Sequence, residues 1–259
     1  MLPDRFAVVS DIHGNLPALQ AVLADMHGRG VSQAVNLGDI LSGPLWPAET
    51  ADLLMGLNLP TIAGNHERQL LACQQQPGGP SDQYAYEQTS PLQRAWLAVL
   101  PGALRIGDVQ FTHGTPSSDL QYLLDDIAAA NLVPAGLDTV AQRLGSTTAT
   151  LVLCGHSHMP RILQLPGGPL VLNPGSVGLP AYDDTDGGYH RAQTGAPHAS
   201  YAIAERVAAG WQVQLLRVAY DWNAAAAQAA HNGRDDWAAW LQSGMVTRRG
   251  LDIDADTSA

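Results

Sequence analysis

Short runs of β-branched and aliphatic residues alternate along this chain with segments whose apolar positions fall three and four apart. Polar clusters sit where the runs stop. Residues 6–10 (FAVVS) make the first run and predict a buried strand. It stops at Asp11-Ile12-His13-Gly14-Asn15. Leu16, Leu19, Leu23 and Met26 then recur at helical spacing, with Pro17 in the first turn, and predict a helix to about Gly28. Residues 34–37 (AVNL) predict a second strand ending at Gly38-Asp39, residues 47–55 a second helix, and residues 59–63 a third strand ending at Gly64-Asn65-His66-Glu67. Strand, loop and helix in alternation imply a parallel sheet with right-handed crossovers.

Further on the pattern is less regular. Residues 74–90 are polar and rich in glycine and proline, and read as a mobile loop; residues 91–100 read as a helix. Arg105-Ile106 and residues 109–112 read as a hairpin around Gly107-Asp108. Residues 120–144 are expected to be mostly helical, and residues 150–154 form a strand ending at Gly155-His156-Ser157-His158. A hairpin is expected over 162–165 and 170–173, a loop over 182–199, a second hairpin over 200–207 and 211–218, and helices over 222–231 and 235–241. With no repeat or linker, one domain is expected over residues 1–246, followed by a frayed tail over 247–259.

Composition narrows the function classes. Apolar residues make up 46% of the chain, enough for a buried core, yet none of the runs approaches the roughly 18 residues of a membrane span. The opening MLPDRFAVVSD lacks the basic and apolar regions of a signal peptide, so a cytoplasmic location is expected. The net charge of −11 disfavours long nucleic acids as partners. All 13 basic residues are arginine, and the missing lysines exclude P-loop and Schiff-base chemistry. Cys73 and Cys154 stand in no metal or redox spacing and read as reduced thiols.

The polar clusters carry the chemistry. In open α/β sheets ligands bind beyond the carboxyl ends of strands, so these clusters are expected to meet in one crevice. Asp11 and His13 lie two apart, which in extended chain turns both to one side; His156 and His158 repeat the spacing. Asp39 adds a carboxylate, Asn65 an amide oxygen and His113 an imidazole. This oxygen and nitrogen set suits Mn²⁺, Fe, Zn²⁺ or Ni²⁺. Seven ligands exceed the needs of one ion and match two ions sharing Asp39. His27, His190, His198 and His231 lie outside the clusters and read as surface or loop residues. Asn15 reads as the cap of the first helix. The segment 173–178 (NPGSVG) reads as either a floor beneath the site or a plain turn, and 183–187 (DDTDG) as a solvated acidic loop.

With DIH at 11–13, GD at 38–39, GNHE at 64–67, THG at 112–114 and GHSH at 155–158, the chain resembles the calcineurin-like metallophosphoesterases. SDIHGN (10–15) and NPGSVGLP (173–180) make it similar to the bacterial phosphodiesterases of the YfcE-like and diadenosine-tetraphosphate-hydrolase-like group. The resemblance implies a four-layer α/β/β/α sandwich of two mixed sheets. It implies that Asp11, His13 and His158 hold one metal, that Asn65, His113 and His156 hold the other, that Asp39 bridges them and that His66 faces the substrate. Two divalent transition-metal ions, Mn foremost, are the implied cofactors. Two departures concern phosphate-binding arginines: GDILSGP (38–44) lacks one, and Ala181 follows Pro180 where the related group often carries one.

The expected activity is hydrolysis of phosphodiesters, nucleotides or dinucleoside polyphosphates by a metal-bridging hydroxide, with His66 protonating the leaving alkoxide and Asn65, His66 and Arg68 contacting the substrate. Glu67 reads either as a support for His66 or as a helix N-terminal carboxylate. Arg68 and Arg161, beside the motifs, read as surface residues able to compensate for the missing arginines. The alternative is a phosphomonoesterase. A catalytically dead binding module of the same fold is disfavoured by the retention of every motif histidine.

Overall fold

The computed structural model describes residues 1–246; the tail expected over 247–259 lies outside them. Strand β1 (Arg5–Val9) is buried on both faces. Phe6 and Val8 enter one hydrophobic layer, Ala7 and Val9 another. That two-sided burial explains an apolar run without alternation. β1 pairs in parallel with β2 (Ala34–Asn36) and antiparallel with β12 (Ala199–Val207), which carries β13 (Gly210–Val218) on its far side. The strand expected over 59–63 is reduced to one bridge, Thr61 beside Asn36, because Pro60 has no N–H with which to extend a ladder.

A second sheet holds β3 (Ala103–Ile106), β4 (Val109–Thr112), β7 (Leu151–Leu153), β9 (Leu170–Asn173) and β8 (Arg161–Gln164), in that order. Its three central strands are parallel and its two edges antiparallel. Phe6, Val8 and Leu37 meet Phe111, Leu153 and Leu172 between the sheets. Outside the first sheet lie α1 (Leu16–Gly28) and α2 (Pro47–Leu57), seated through Leu19, Val22 and Leu54. Outside the second lies α6 (Leu137–Leu144), seated through Val140 and Leu144. The layer order is the expected α/β/β/α. Among the described residues, no helix is long and apolar enough to cross a membrane.

Three further segments depart from expectation. Residues 120–144 are not mostly helical: β5 (Asp125–Ala128) and β6 (Asn131–Pro134) form a hairpin. Their alanines favour helix, but pairing in the sheet overrides that propensity, and Ala129 and Ala130, both at positive φ, make the tight turn. Residues 182–199 are not loop throughout: β10 (Ala181–Asp184) and β11 (His190–Gln193) pair with that hairpin in a third sheet, ordered β10-β11-β6-β5. Within 74–90, α4 (Pro80–Gln88) forms with Pro80 in its first turn, between α3 (Asn65–Ala72) and α5 (Pro91–Ala98). The remaining helices, α7 (Trp222–His231) and α8 (Asp235–Ser243), pack with Leu45, Leu179 and Ala181.

The segment 173–178 is a floor rather than a plain turn. Val177 and Gly178 donate backbone N–H bonds to the carbonyls of Ser10 and Asp11, each at 3.0 Å, and Ser176 Oγ donates to the Asp11 carbonyl at 2.7 Å. A Cβ at Gly178 would lie 1.7 Å from the Ile12 carbonyl oxygen, a backbone atom that cannot swing aside. We therefore expect Gly178→Ala to destabilise the fold by more than about 3 kcal/mol in chemical denaturation. Gly28→Ala, where a Cβ meets nothing within 4 Å, should be neutral or stabilise by up to about 1 kcal/mol. Equal effects at the two sites would show that the floor is not rigid.

Candidate metal centre

Each polar cluster follows the carboxyl end of a strand or of the Thr61 bridge, and the sandwich brings them together. Asp11 and His13 follow β1, Asp39 follows β2, and Asn65 and His66 open α3. His113 follows β4, and His156 and His158 follow β7. The chain turns abruptly at these ends. Asp11, His13, Asp39, His156 and His158 all adopt positive φ, between 52° and 68°. For non-glycine residues this conformation costs of order 1–2 kcal/mol each, and it persists only where the surroundings impose it. Backbone bonds do so: Asp11 donates to the Gly38 carbonyl and His13 to the Asp39 carbonyl, both at 3.0 Å.

Glu67 ties these loops together. Its carboxylate accepts N–H bonds from Asp39 (2.9 Å), Ile40 (2.8 Å) and Gly64 (2.7 Å). It therefore binds one loop to the next across the N-terminus of α3, and His66 is supported by another group. That group is Asp82, on α4, whose Oδ1 lies 2.8 Å from His66 Nδ1 and also accepts from Ser42 Oγ at 2.7 Å. Gly64 precedes the Asn-His pair for a spatial reason: a Cβ there would lie 2.2 Å from Asp39 Oδ1.

The ring nitrogens are set by backbone carbonyls. His13 Nδ1 donates to Ser42 (2.7 Å), His113 Nδ1 to Leu37 (2.8 Å), His158 Nδ1 to Leu179 (2.8 Å) and His156 Nε2 to Leu120 (2.9 Å). A carbonyl only accepts, so in each neutral ring the opposite nitrogen is bare and available to a cation. Two such bare nitrogens, Nε2 of His13 and of His158, face each other at 3.1 Å. Lone pairs at that distance repel unless a cation lies within reach of both. Asp11 Oδ2, Asn65 Oδ1 and His113 Nε2 are buried without a hydrogen-bond partner. His113 Nε2 lies 3.0 Å from Asp39 Oδ2 without hydrogen-bond alignment. Gln69 Oε1 accepts from Asn65 Nδ2 at 3.1 Å, which turns the amide oxygen the other way.

The donor atoms fall into two groups, Asp11 with His13 and His158, and Asp39 with His113 and His156, the atoms within each lying within 4.8 Å of one another. These two buried Asp/His groups fit a dinuclear metal site.

Charge balance supports the fit. Burial lowers His13 to about 4, burial and the nearby His113 lower His156 to about 4, and burial and His13 hold His158 well below its usual range. All three imidazoles are neutral at pH 7, the form that ligates metals. Burial raises the Asp11 carboxyl to about 7, against the pull of His113. Burial also opposes ionisation of Asp39, but the charges of His113 and His66 outweigh it and hold the carboxyl well below its usual range. Burial opposes protonation of His113 too, yet the Asp39 and Asp11 carboxylates outweigh it and raise the imidazole to about 10. In the metal-free chain a proton on His113 thus occupies the place of a cation.

The structure brings together all seven residues read as ligands, with His66 at the rim. Arg68 stands apart, its guanidinium paired with Asp119 at 2.9 Å. Arg161 is a structural residue: it pairs with buried Asp125 at 2.8 Å. His190 is fully buried and not a surface residue; its Nε2 meets the Tyr122 hydroxyl at 2.7 Å, and the Tyr122 ring packs 4.7 Å from that of His156. Asn15 caps α1, its Oδ1 accepting from Ala18 at 3.3 Å. Sequence reasoning missed Asp82, Tyr182, Arg234 and Trp237, which line or support the crevice. Pro80, a helix-start signal, was the one clue to α4 and so to Asp82.

Comparison with known proteins places the fold. The family model for the calcineurin-like phosphoesterase superfamily domain matches residues 5–196. The protein MJ0912 of Methanocaldococcus jannaschii is 27% identical over 269 residues, covering 92% of this chain and 96% of its own. A metallophosphoesterase from Sphaerobacter thermophilus superposes with a TM-score of 0.73 at 26% identity, covering 93% of this chain and 100% of its own. YfcE, a phosphoesterase from E. coli, is a more distant likeness: 20% identity, 77% and 87% coverage, TM-score 0.40.

Loading the site must displace protons. A group raised to about 10 is protonated at pH 7.5, so cation uptake there should release about one proton from His113, and affinity should rise with pH until that proton is gone near pH 10. Calorimetric titration with Mn²⁺ or Zn²⁺ in buffers of different ionisation enthalpy measures this. Uptake without net proton release would contradict the charge balance.

Proposed function

The chain belongs to the calcineurin-like phosphoesterase superfamily, and from that premise we propose that it is a dinuclear, metal-dependent phosphodiesterase acting on small phosphodiesters, nucleotides or dinucleoside polyphosphates. The observation that carries the diester reading is the shape of the crevice around His66. It opens on both sides, into a lobe of about 290 Å³ beside the paired metal ligands and a wider one of about 670 Å³ along α3, and both include Asn65, His66 and Asp184. A diester places an alcohol on each side of phosphorus; a small monoester would leave one lobe without a function.

In this reading Asp11, His13 and His158 hold one cation, Asn65, His113 and His156 the other, and Asp39 serves both. Mn²⁺ is the preferred occupant, with Fe, Zn²⁺ or Ni²⁺ as alternatives. When bound, the cations supply the Lewis acidity that activates water and neutralises charge on the phosphate. The chain's own residues do the rest. Asp39 is fixed for its double duty by the His66 backbone N–H, which donates to Oδ1 at 3.0 Å. His66 is kept protonated: burial works against its charge, but Asp39 and Asp82 outweigh burial and raise it to about 9. With Nδ1–H given to Asp82, Nε2–H is left to protonate the leaving alkoxide. General-acid help of this kind is typically worth about 10²–10⁴-fold. Asn65 and His66, on one face of the wider lobe, are placed to contact the leaving group, whereas Arg68, on the same wall, is held by Asp119.

Purified protein loaded with Mn²⁺ should hydrolyse bis-p-nitrophenyl phosphate and members of a nucleotide panel. No turnover at full metal occupancy would sink the reading, and a preference for p-nitrophenyl phosphate over the diester would replace it with a phosphomonoesterase. His66→Ala should keep both metals and lose about 10²–10⁴ in kcat. Asp39→Asn should lose metal as well as activity. Removing the carboxylate in Asp82→Asn withdraws support from the imidazolium, so the basic limb of the kcat/KM profile should move to lower pH. An unmoved limb would assign the proton to another group.

A further inference from the structure

We propose that Arg234, at the entry to α8, is the phosphate-clamping residue of this enzyme and supplies from the C-terminal helices the guanidinium that the Gly38-Asp39 and 173–180 motifs lack. This rests on the phosphoesterase reading and adds a named substrate contact to it.

Arg234 lines the smaller lobe together with His13, Asn65, His66 and His158, and it is the one basic residue other than histidine on that wall. It lies beyond residue 196, where the family match ends, so its position owes nothing to the shared motifs. The side chain is pinned in place. Nε and Nη2 donate side-on to the two oxygens of Asp236, each at 2.9 Å, and Nη1 donates to Ser81 Oγ at 2.8 Å. The guanidinium carbon lies 5.5 Å from the centre of the Trp237 ring, and the same indole packs against the ring of His13 in a T-shaped contact, 5.9 Å between centres. One aromatic side chain therefore sets the spacing between guanidinium and metal ligand.

The donor count matters. A guanidinium carries five N–H groups, and three are used by Asp236 and Ser81. One remains on each Nη, and the side chain, which lines the crevice, is 20% exposed. A held fork with two N–H groups left over binds a phosphate oxygen at small entropic cost. Ser81 adjoins Asp82, the support of His66, so phosphate clamp and general acid are anchored on the same turn of α4. The surrounding wall also carries Asp183, Asp184 and Asp236, so a phosphate oxygen is accepted here through the two directed N–H groups of Arg234 and not through a general positive field.

The test uses the full chain loaded with Mn²⁺. Arg234→Lys keeps charge but loses the fork, and Arg234→Gln loses both. For each we expect two metals per chain, a KM for bis-p-nitrophenyl phosphate raised at least 10-fold, and a matching rise in the inhibition constant of inorganic phosphate. A merely structural arginine would lower Tm and leave phosphate inhibition unchanged, and that result would overturn the proposal. If neither variant folds, a crystal of the wild-type protein with Mn²⁺ and inorganic phosphate decides. An Arg234 Nη within hydrogen-bond distance of a phosphate oxygen supports the clamp; phosphate on the metals with Arg234 remote from it refutes it. Absence of turnover by the wild type would instead strike at the phosphodiesterase reading itself.

Discussion

Repulsion at a point is the constraint on which this molecule is built. Two carboxylates and four imidazoles converge on one buried volume, three of the rings with a bare nitrogen, and two of those nitrogens face each other at 3.1 Å. Only the proton on His113, shared between Asp39 and Asp11, offsets that convergence from within the chain. The convergence is held by rigid surroundings: two sheets packed face to face, five non-glycine residues in left-handed turns, and backbone carbonyls that dictate which nitrogen of each ring stays bare. The cations that relieve the repulsion are thereby selected by the fold before they arrive.

The supporting groups are shared rather than dedicated. Glu67 accepts from three amides on two loops, so Asp39 and Asn65 move as one body. Ser42 gives its carbonyl to His13 and its hydroxyl to Asp82, linking one of the buried Asp/His groups to the support of His66. The 173–178 floor holds the backbone of Asp11 from below. A change in any of these is therefore expected to reach both halves of the site.

The legible part of the protein was the part whose signals are local. Strand ends at Asp11, Asp39, His113 and His156 could be read because a β-rich run stops at a polar cluster, and Asn15 could be read as a cap because its neighbour is a proline-started helix. Other features follow from partners remote in the chain. Residues 120–144 were expected to be mostly helical, but pairing of β5 with β6 and of β6 with β11 decides the conformation over 125–134. His190 looked like a loop residue because nothing near it in sequence reveals the Tyr122 hydroxyl that meets its ring. Asp82 and Arg234 sit in segments without motifs, and only the packing of α4 and α8 against the crevice reveals them.

Trp237 touches His13 and closes over Gly43, although it belongs to a helix far downstream of every motif. The ligands and the wall opposite them are thus encoded in separate stretches of the gene. Substitutions in α7 and α8 can reshape what enters the crevice while the ligand set stays untouched. A lineage built this way can keep one reaction and exchange its substrates.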